Sequence, residues 1–175
     1  MDTTASRCGG HARALAAGSA TIPGTDAVPV RKVLLATDLG PTSVPATNEA
    51  FEVAGRLGAD LLIVSVIDTA AQRPSGGLVG DRVDQVRERR QSAAQALVQR
   101  GRRAGVAVTF LVWVGEAADA ILEAAEAEGA DMIVLGSHGR GALGRLLLGS
   151  VSRQVVRGAR VPVVVVRHDG ERVAL

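Results

Sequence analysis

Short apolar runs alternate along the chain with longer segments whose apolar residues recur every three or four positions. The runs are Arg31–Thr37, Asp60–Ile67, Ala107–Val114, Met132–Leu135 and Val161–Arg167. Each has the length of a strand, and consecutive as well as alternate positions are apolar, which is the pattern of a strand covered on both faces. Between them lie helical patterns. Val44, Ala50, Val53, Ala54 and Leu57 form one stripe; Val83, Val86, Ala93, Ala94 and Leu97 form a second; Ala118, Ile121, Leu122 and Ala125 form a third. Val151, Val155 and Val156 begin a shorter one before the last run. Strand and helix taking turns in this way predict a single doubly wound α/β domain, a parallel sheet with helices on both faces.

Turn and cap residues divide the pattern. Leu39-Gly40-Pro41 reads as a turn, Thr42 or Ser43 as the cap of a helix to about Leu57, and Gly58 as its stop. Pro45 falls in the first turn, where its missing N–H costs nothing. Thr69–Gly80 carries Pro74, Gly76, Gly77 and Gly80 and reads as a loop that can fold over a site. Helices follow over Asp81–Arg103 and Glu116–Glu128, stopped by Gly105 and Gly129. Residues 1–29, rich in Ala, Gly, Thr and Ser, are expected to be a mobile N-terminal tail, residues 30–168 the domain and residues 169–175 a polar C-terminal tail.

Composition sharpens this picture in three respects. The chain has 175 residues and only Phe51, Phe110 and Trp113 as aromatics, so a core of Val, Leu, Ile and Ala must carry the fold. A net charge of +2 is no polyanion-binding balance. Arg87-Glu88-Arg89-Arg90 reads as a solvated helix face, and no aromatic platform for single strands exists, so nucleic acid is not an expected partner. Cys8, the single cysteine, excludes an intrachain disulfide, and with His11 it falls short of a metal set. No segment is apolar enough for a membrane span or a secretory signal, and the expected location is the cytoplasm.

The chemistry concentrates in Ala130–Arg157, ADMIVLGSHGRGALGRLLLGSVSRQVVR. A strand leads into Gly136, Gly139, Gly141, Gly144 and Gly149, and then Ser150 opens a helix. Glycine lets backbone approach a ligand closely, and loop amides with a helix N-terminus face an anion. In open parallel sheets, ligands sit beyond the carboxyl ends of the strands where strand order reverses. Asp38, Val66, Asp68 and the Gly136 loop all fall at such ends. Ser150 can cap the helix and meet phosphate through the same geometry. His138, Arg140 and Arg145 are candidate phosphate partners that also read as exposed loop residues, and Asp68 reads first as a surface acid ending its strand. Gly139-Arg-Gly141-Ala-Leu-Gly144 spells a dinucleotide fingerprint, but it follows the fourth strand and lacks the acid expected about 20 residues on. No Walker G-K-[S/T] is present.

Gly136-x-x-Gly139, nine residues, then Gly149-Ser150 resembles the nucleotide-binding signature of the universal stress protein family. RKVLLATD resembles that family's opening strand and ligand-facing aspartate, and LLIVSVID its second strand. The resemblance runs over about Arg31–Arg167 and implies a five-stranded sheet in the order 3-2-1-4-5. The loop points to the family's ATP-binding branch. Carried over by position, Asp38 and Val66 would line the adenosine end and Gly136 would lie near the ribose, with Ala36 and Thr37 as further nucleotide-binding candidates. Gly139, Gly149, Ser150 and Val151 would offer backbone or hydroxyl groups to the phosphates, beside the candidates His138 and Arg140. Two positions depart from the family: Gly40 stands where a serine is common, and Ala117 where a proline is usual.

The implied function is an ATP-binding protein of stress response or signalling, with ATP accompanied by Mg²⁺, little or no turnover, and a homodimer joined through Val161–Arg167. The alternatives are a slow ATPase, a self-phosphorylating enzyme using Ser150 or a nearby hydroxyl, and a dimeric interaction module whose pocket is vestigial or takes cyclic AMP. No water-activating base stands out beside the loop, which places binding ahead of catalysis.

Overall fold

A computed structural model of the chain describes residues 29–68, 79–137, 148–167 and 172–174. The apolar runs become parallel strands β1 (Lys32–Ala36), β2 (Asp60–Asp68), β3 (Val108–Gly115), β4 (Met132–Gly136) and β5 (Val163–Val166). The helical patterns become α1 (Val44–Leu57), α2 (Val79–Ala104), α3 (Ala117–Ala127) and α4 (Ser150–Gly158). The parallel strands lie in the order β3-β2-β1-β4-β5, as the family resemblance implies.

Alternation along each strand sends side chains to two separate cores. On one face Leu34, Ala36, Leu62, Val64, Ile133 and Leu135 pack under α3 and α4, with Ile121, Ala124 and Val155 closing over them. On the other, Val33, Leu35, Leu61, Ile63 and Val134 meet Ala46, Ala50, Phe51 and Ala54 of α1. Leu34, Leu35, Leu61 and Ile63 have no exposed surface, which is why these strands read as continuous apolar runs. At the amino end of the sheet the Asp131 carboxylate accepts the backbone N–H groups of Arg31 (2.8 Å) and Lys32 (2.9 Å). Lys32, the single lysine, donates its ammonium to the Glu128 carbonyl at 2.6 Å.

The long helix α2 is tied down by arginines. Arg100 lies 4.3 Å from the Phe51 ring centre and donates to Asn48 Oδ1 at 2.8 Å, joining α2 to α1. Arg90 donates to Ser65 Oγ at 3.0 Å and also to the Val66 carbonyl, so this arginine is not part of a purely solvated face. It supplies the fully buried Ser65 with a partner.

Two boundaries differ from the sequence reading. α2 begins at Val79 and takes in Gly80, which reads as loop; Thr69–Leu78, the rest of that loop, lies outside the described residues. Arg172–Ala174, expected to be tail, form a sixth strand, β6, antiparallel to β5 with Val165 opposite Val173. The outer N–H and C=O groups of β5 are a template that even three residues can use. The N-terminal tail, residues 1–28, with Cys8 and His11, lies outside the described residues.

Candidate functional site

The register of the sheet brings the candidate residues to one end of the molecule. Ala36 pairs with Val64 on one side and Leu135 on the other. Continued two residues, that register sets Asp38 level with Val66 and with Ser137. α1 leaves β1 over one face of the sheet, while α4 follows β4 over the other. Strand order reverses between β1 and β4, the position at which open parallel sheets hold ligands beyond the carboxyl ends of their strands.

The β1 side is a tightly bonded turn. Thr37 Oγ1 donates to Ser43 Oγ at 2.9 Å, and Ser43 Oγ donates to the Gly40 carbonyl at 2.8 Å. The Leu39 N–H donates to Thr37 Oγ1 at 3.0 Å. The Gly40 N–H donates to Asp38 Oδ1 at 2.9 Å, which fixes one carboxylate oxygen. A Cβ placed on Gly40 would lie 3.1 Å from both Asp38 carboxylate oxygens. Glycine in place of the family's common serine therefore gives the Asp38 carboxylate room. Thr37 is buried, its hydroxyl is engaged in the turn and its N–H donates to the Val64 carbonyl, so its part is to hold Asp38 in position.

The β4 side is joined to α4 at its root. The Ser137 N–H donates to the Val166 carbonyl, and the Gly149 N–H donates to the Ser137 carbonyl, both at 2.8 Å. Ser152 Oγ reaches back 2.8 Å to the Gly136 carbonyl. The ends of the glycine-rich stretch are thus bonded to one another. His138, Gly139 and Arg140, with Arg145, lie outside the described residues. Ser152 is a residue the sequence reading misses: its partner is a carbonyl sixteen positions back, and no local spacing signals it.

Helix α4 starts with Gly149 as N-cap in a non-helical conformation (φ −57°, ψ 160°), with no side-chain capping bond, and Ser150 is the first helical residue and exposed. The capping role anticipated for Ser150 falls to its neighbour, because the cap residue must keep non-helical dihedrals. The amides of Ser150, Val151 and Ser152 precede the first intrahelical bond, Arg153 N–H to the Gly149 carbonyl. The first turn carries no acid and the last turn carries Arg157, an arrangement that leaves the positive end of the dipole unopposed. Val66 of β2, Leu148 just before α4 and Val151 in its first turn are all partly buried against the core under α3 and α4. Among the described residues, no group of three or more His, Cys, Asp or Glu could hold a metal ion, and no helix is long and apolar enough to cross a membrane.

Fold and site together define a doubly wound α/β domain with a carboxylate, an apolar wall and a helix N-terminus around one switch point. The description of the universal stress protein family matches residues 29–167, and the chain belongs to that family. It is 30% identical over 139 residues to universal stress protein MJ0531 of Methanocaldococcus jannaschii, covering 78% of this chain and 82% of that protein. It is 36% identical over 151 residues to universal stress protein Rv2005c of Mycobacterium tuberculosis, covering 86% of this chain and 49% of the relative, so it spans about half that protein's length. Among solved structures, hypothetical protein MJ0577, also of Methanocaldococcus jannaschii and the subject of a structure-based assignment of biochemical function, superimposes with a TM-score of 0.67 at 26% identity, covering 80% of this chain and 97% of that one. A universal stress protein in complex with cAMP gives 0.56 at 25% identity, covering 80% and 98%.

Proposed function

We propose that this universal stress protein binds ATP in the crevice between β1 and β4 and acts as a nucleotide-dependent component of a stress response, with little or no turnover. The observation that carries the reading is the Ser137–Gly149 backbone bond, which seats the first turn of α4 beside the carboxyl end of β4. Helix amides with no carbonyl one turn back suit phosphate oxygens. Asp38, held by the Thr37–Ser43 turn, suits ribose hydroxyls or an adenine amino group, and Val66 offers a flat apolar seat for the base. Gly136 lies between these ends, toward the ribose. Mg²⁺ would travel with the phosphates, held by their oxygens.

The complex of a structural neighbour with cAMP supports an adenine nucleotide and keeps a cyclic one as the competing ligand. Cytoplasmic location and a homodimer through Val161–Arg167 belong to the same reading. For that dimer to pair strand to strand, β6 must leave β5.

The loop is tested by Gly139→Val and Gly149→Val, each titrated with ATP by calorimetry and checked by circular dichroism. A branched side chain at either position blocks the approach of phosphate to the amides. ATP binding is expected to vanish with the fold retained; undiminished affinity in both variants would remove the loop from the site.

A further inference from the structure

Val66, at the base end of the proposed site, has Trp113 as its neighbour on β3. Trp113 pairs with Val66 in the β2–β3 register, so the two side chains stand next to each other on the same face of the sheet. Adjacent strands are about 4.8 Å apart, which is within the breadth of a purine ring. Both residues are partly buried, and both pack on the core that also receives Leu148 and Val151 at the start of α4. The chain's single tryptophan thus lies near the carboxyl end of β3, on the sheet face covered by α3 and α4. Gly115 ends the strand two residues on, and α3 opens with Ala117 and Ala118.

We propose that Trp113 is the side wall of the base end of the site, where its indole contacts a purine ring seated on Val66 and makes binding depend on the base. The proposal rests on the nucleotide reading and adds a residue to it. An indole offers a broad polarizable face at little cost in side-chain entropy, and every purine has a π-face to meet it. Loss of such a contact weakens nucleotide binding about tenfold, while a ligand made of phosphates alone has nothing to lose.

The chain has no tyrosine and no second tryptophan, so its indole emission reports this one position. The experiment is titration of the full chain, stripped of any bound ligand, with ATP and with tripolyphosphate. Emission and calorimetry are followed together and repeated calorimetrically on Trp113→Leu. Expected are an emission change with ATP and none with tripolyphosphate, and about tenfold weaker ATP binding in the variant with tripolyphosphate unaffected. The wild-type emission result needs no variant to fold. If ATP binds with the emission unmoved and W113L binds as tightly, Trp113 is only a core residue and this proposal alone falls. An equal loss for tripolyphosphate overturns it too, because the substitution then acts on the scaffold. If no adenine nucleotide binds the wild type, the nucleotide reading falls and takes this proposal with it.

Discussion

Leu39 adopts φ of +60°, a left-handed backbone that costs a residue with a Cβ about 1 kcal/mol. It is held there by hydrogen bonds on either side: its own N–H to Thr37 Oγ1, and the Gly40 N–H to Asp38 Oδ1. Such strain, where it occurs at a site, is maintained by the surrounding contacts. Thr37→Val removes the hydroxyl that links Leu39 to Ser43 and is expected to cost about 1–2 kcal/mol, since it strands polar groups in a buried place. Urea unfolding checks the stability, and ATP titration should show weakened binding as Asp38 loses its support; wild-type values in both would contradict this account of the turn. The sequence marks Asp38 and the Leu39-Gly40-Pro41 turn correctly as the end of a strand. It does not reveal that the positive φ falls on Leu39 instead of the adjacent glycine, because backbone N–H bonds accepted by the Thr37 and Asp38 side chains override the local preference. Ser152 is equally silent in sequence, since its partner belongs to another element.

The inner strands are legible because burial on both faces favours consecutive apolar residues, as in Leu61-Leu62-Ile63-Val64. Helix ends are legible where a glycine follows, as at Gly58, the C-cap of α1. The start of α2 is not, because Gly80 signals a break that a long helix tolerates in its first turn. β6 is not legible either, because Arg172-Val173-Ala174 has little strand character of its own and owes its conformation to the open edge of β5. Close packing between elements also hides in sequence. Gly101 of α2 reads as a mild helix defect, yet a Cβ there would lie 2.2 Å from Val108 Cγ2 and 2.8 Å from the Val106 carbonyl oxygen. Glycine lets α2 sit against the start of β3. Gly101→Ala, which ought to favour a helix, is therefore expected to destabilise the protein by about 1–3 kcal/mol through overpacking. A chemical denaturation curve shifted the other way would mean that helix propensity outweighs the clash.

At the scale of the whole molecule, the alternation of strand and helix predicts the doubly wound sheet, and the family resemblance supplies its order, which strand pairing bears out. What the sequence leaves open is the state of the outer edge. An unprotected β5 would invite a second copy, whereas β6 occupies those hydrogen-bonding groups within the chain. If the proposed dimer uses β5, a chain ending at Arg167 should dimerise more tightly than the full chain in light scattering. Equal association of the two, or monomers in both, would place any interface elsewhere. The crevice is likewise assembled from distant parts. Asp38, Val66 and Gly149 share no local motif and come together only because β1 lies between β2 and β4.

The central claim is that this crevice holds an adenine nucleotide. The most direct measurement is mass spectrometry of small molecules released from freshly purified protein, followed by calorimetric titration of ATP, AMP and cyclic AMP into the stripped chain. ATP retained on the protein, or binding with one site per chain and more tightly than AMP or cyclic AMP, is the predicted result. Saturation by none of the three would contradict the account and leave the joined loop and helix as inherited architecture.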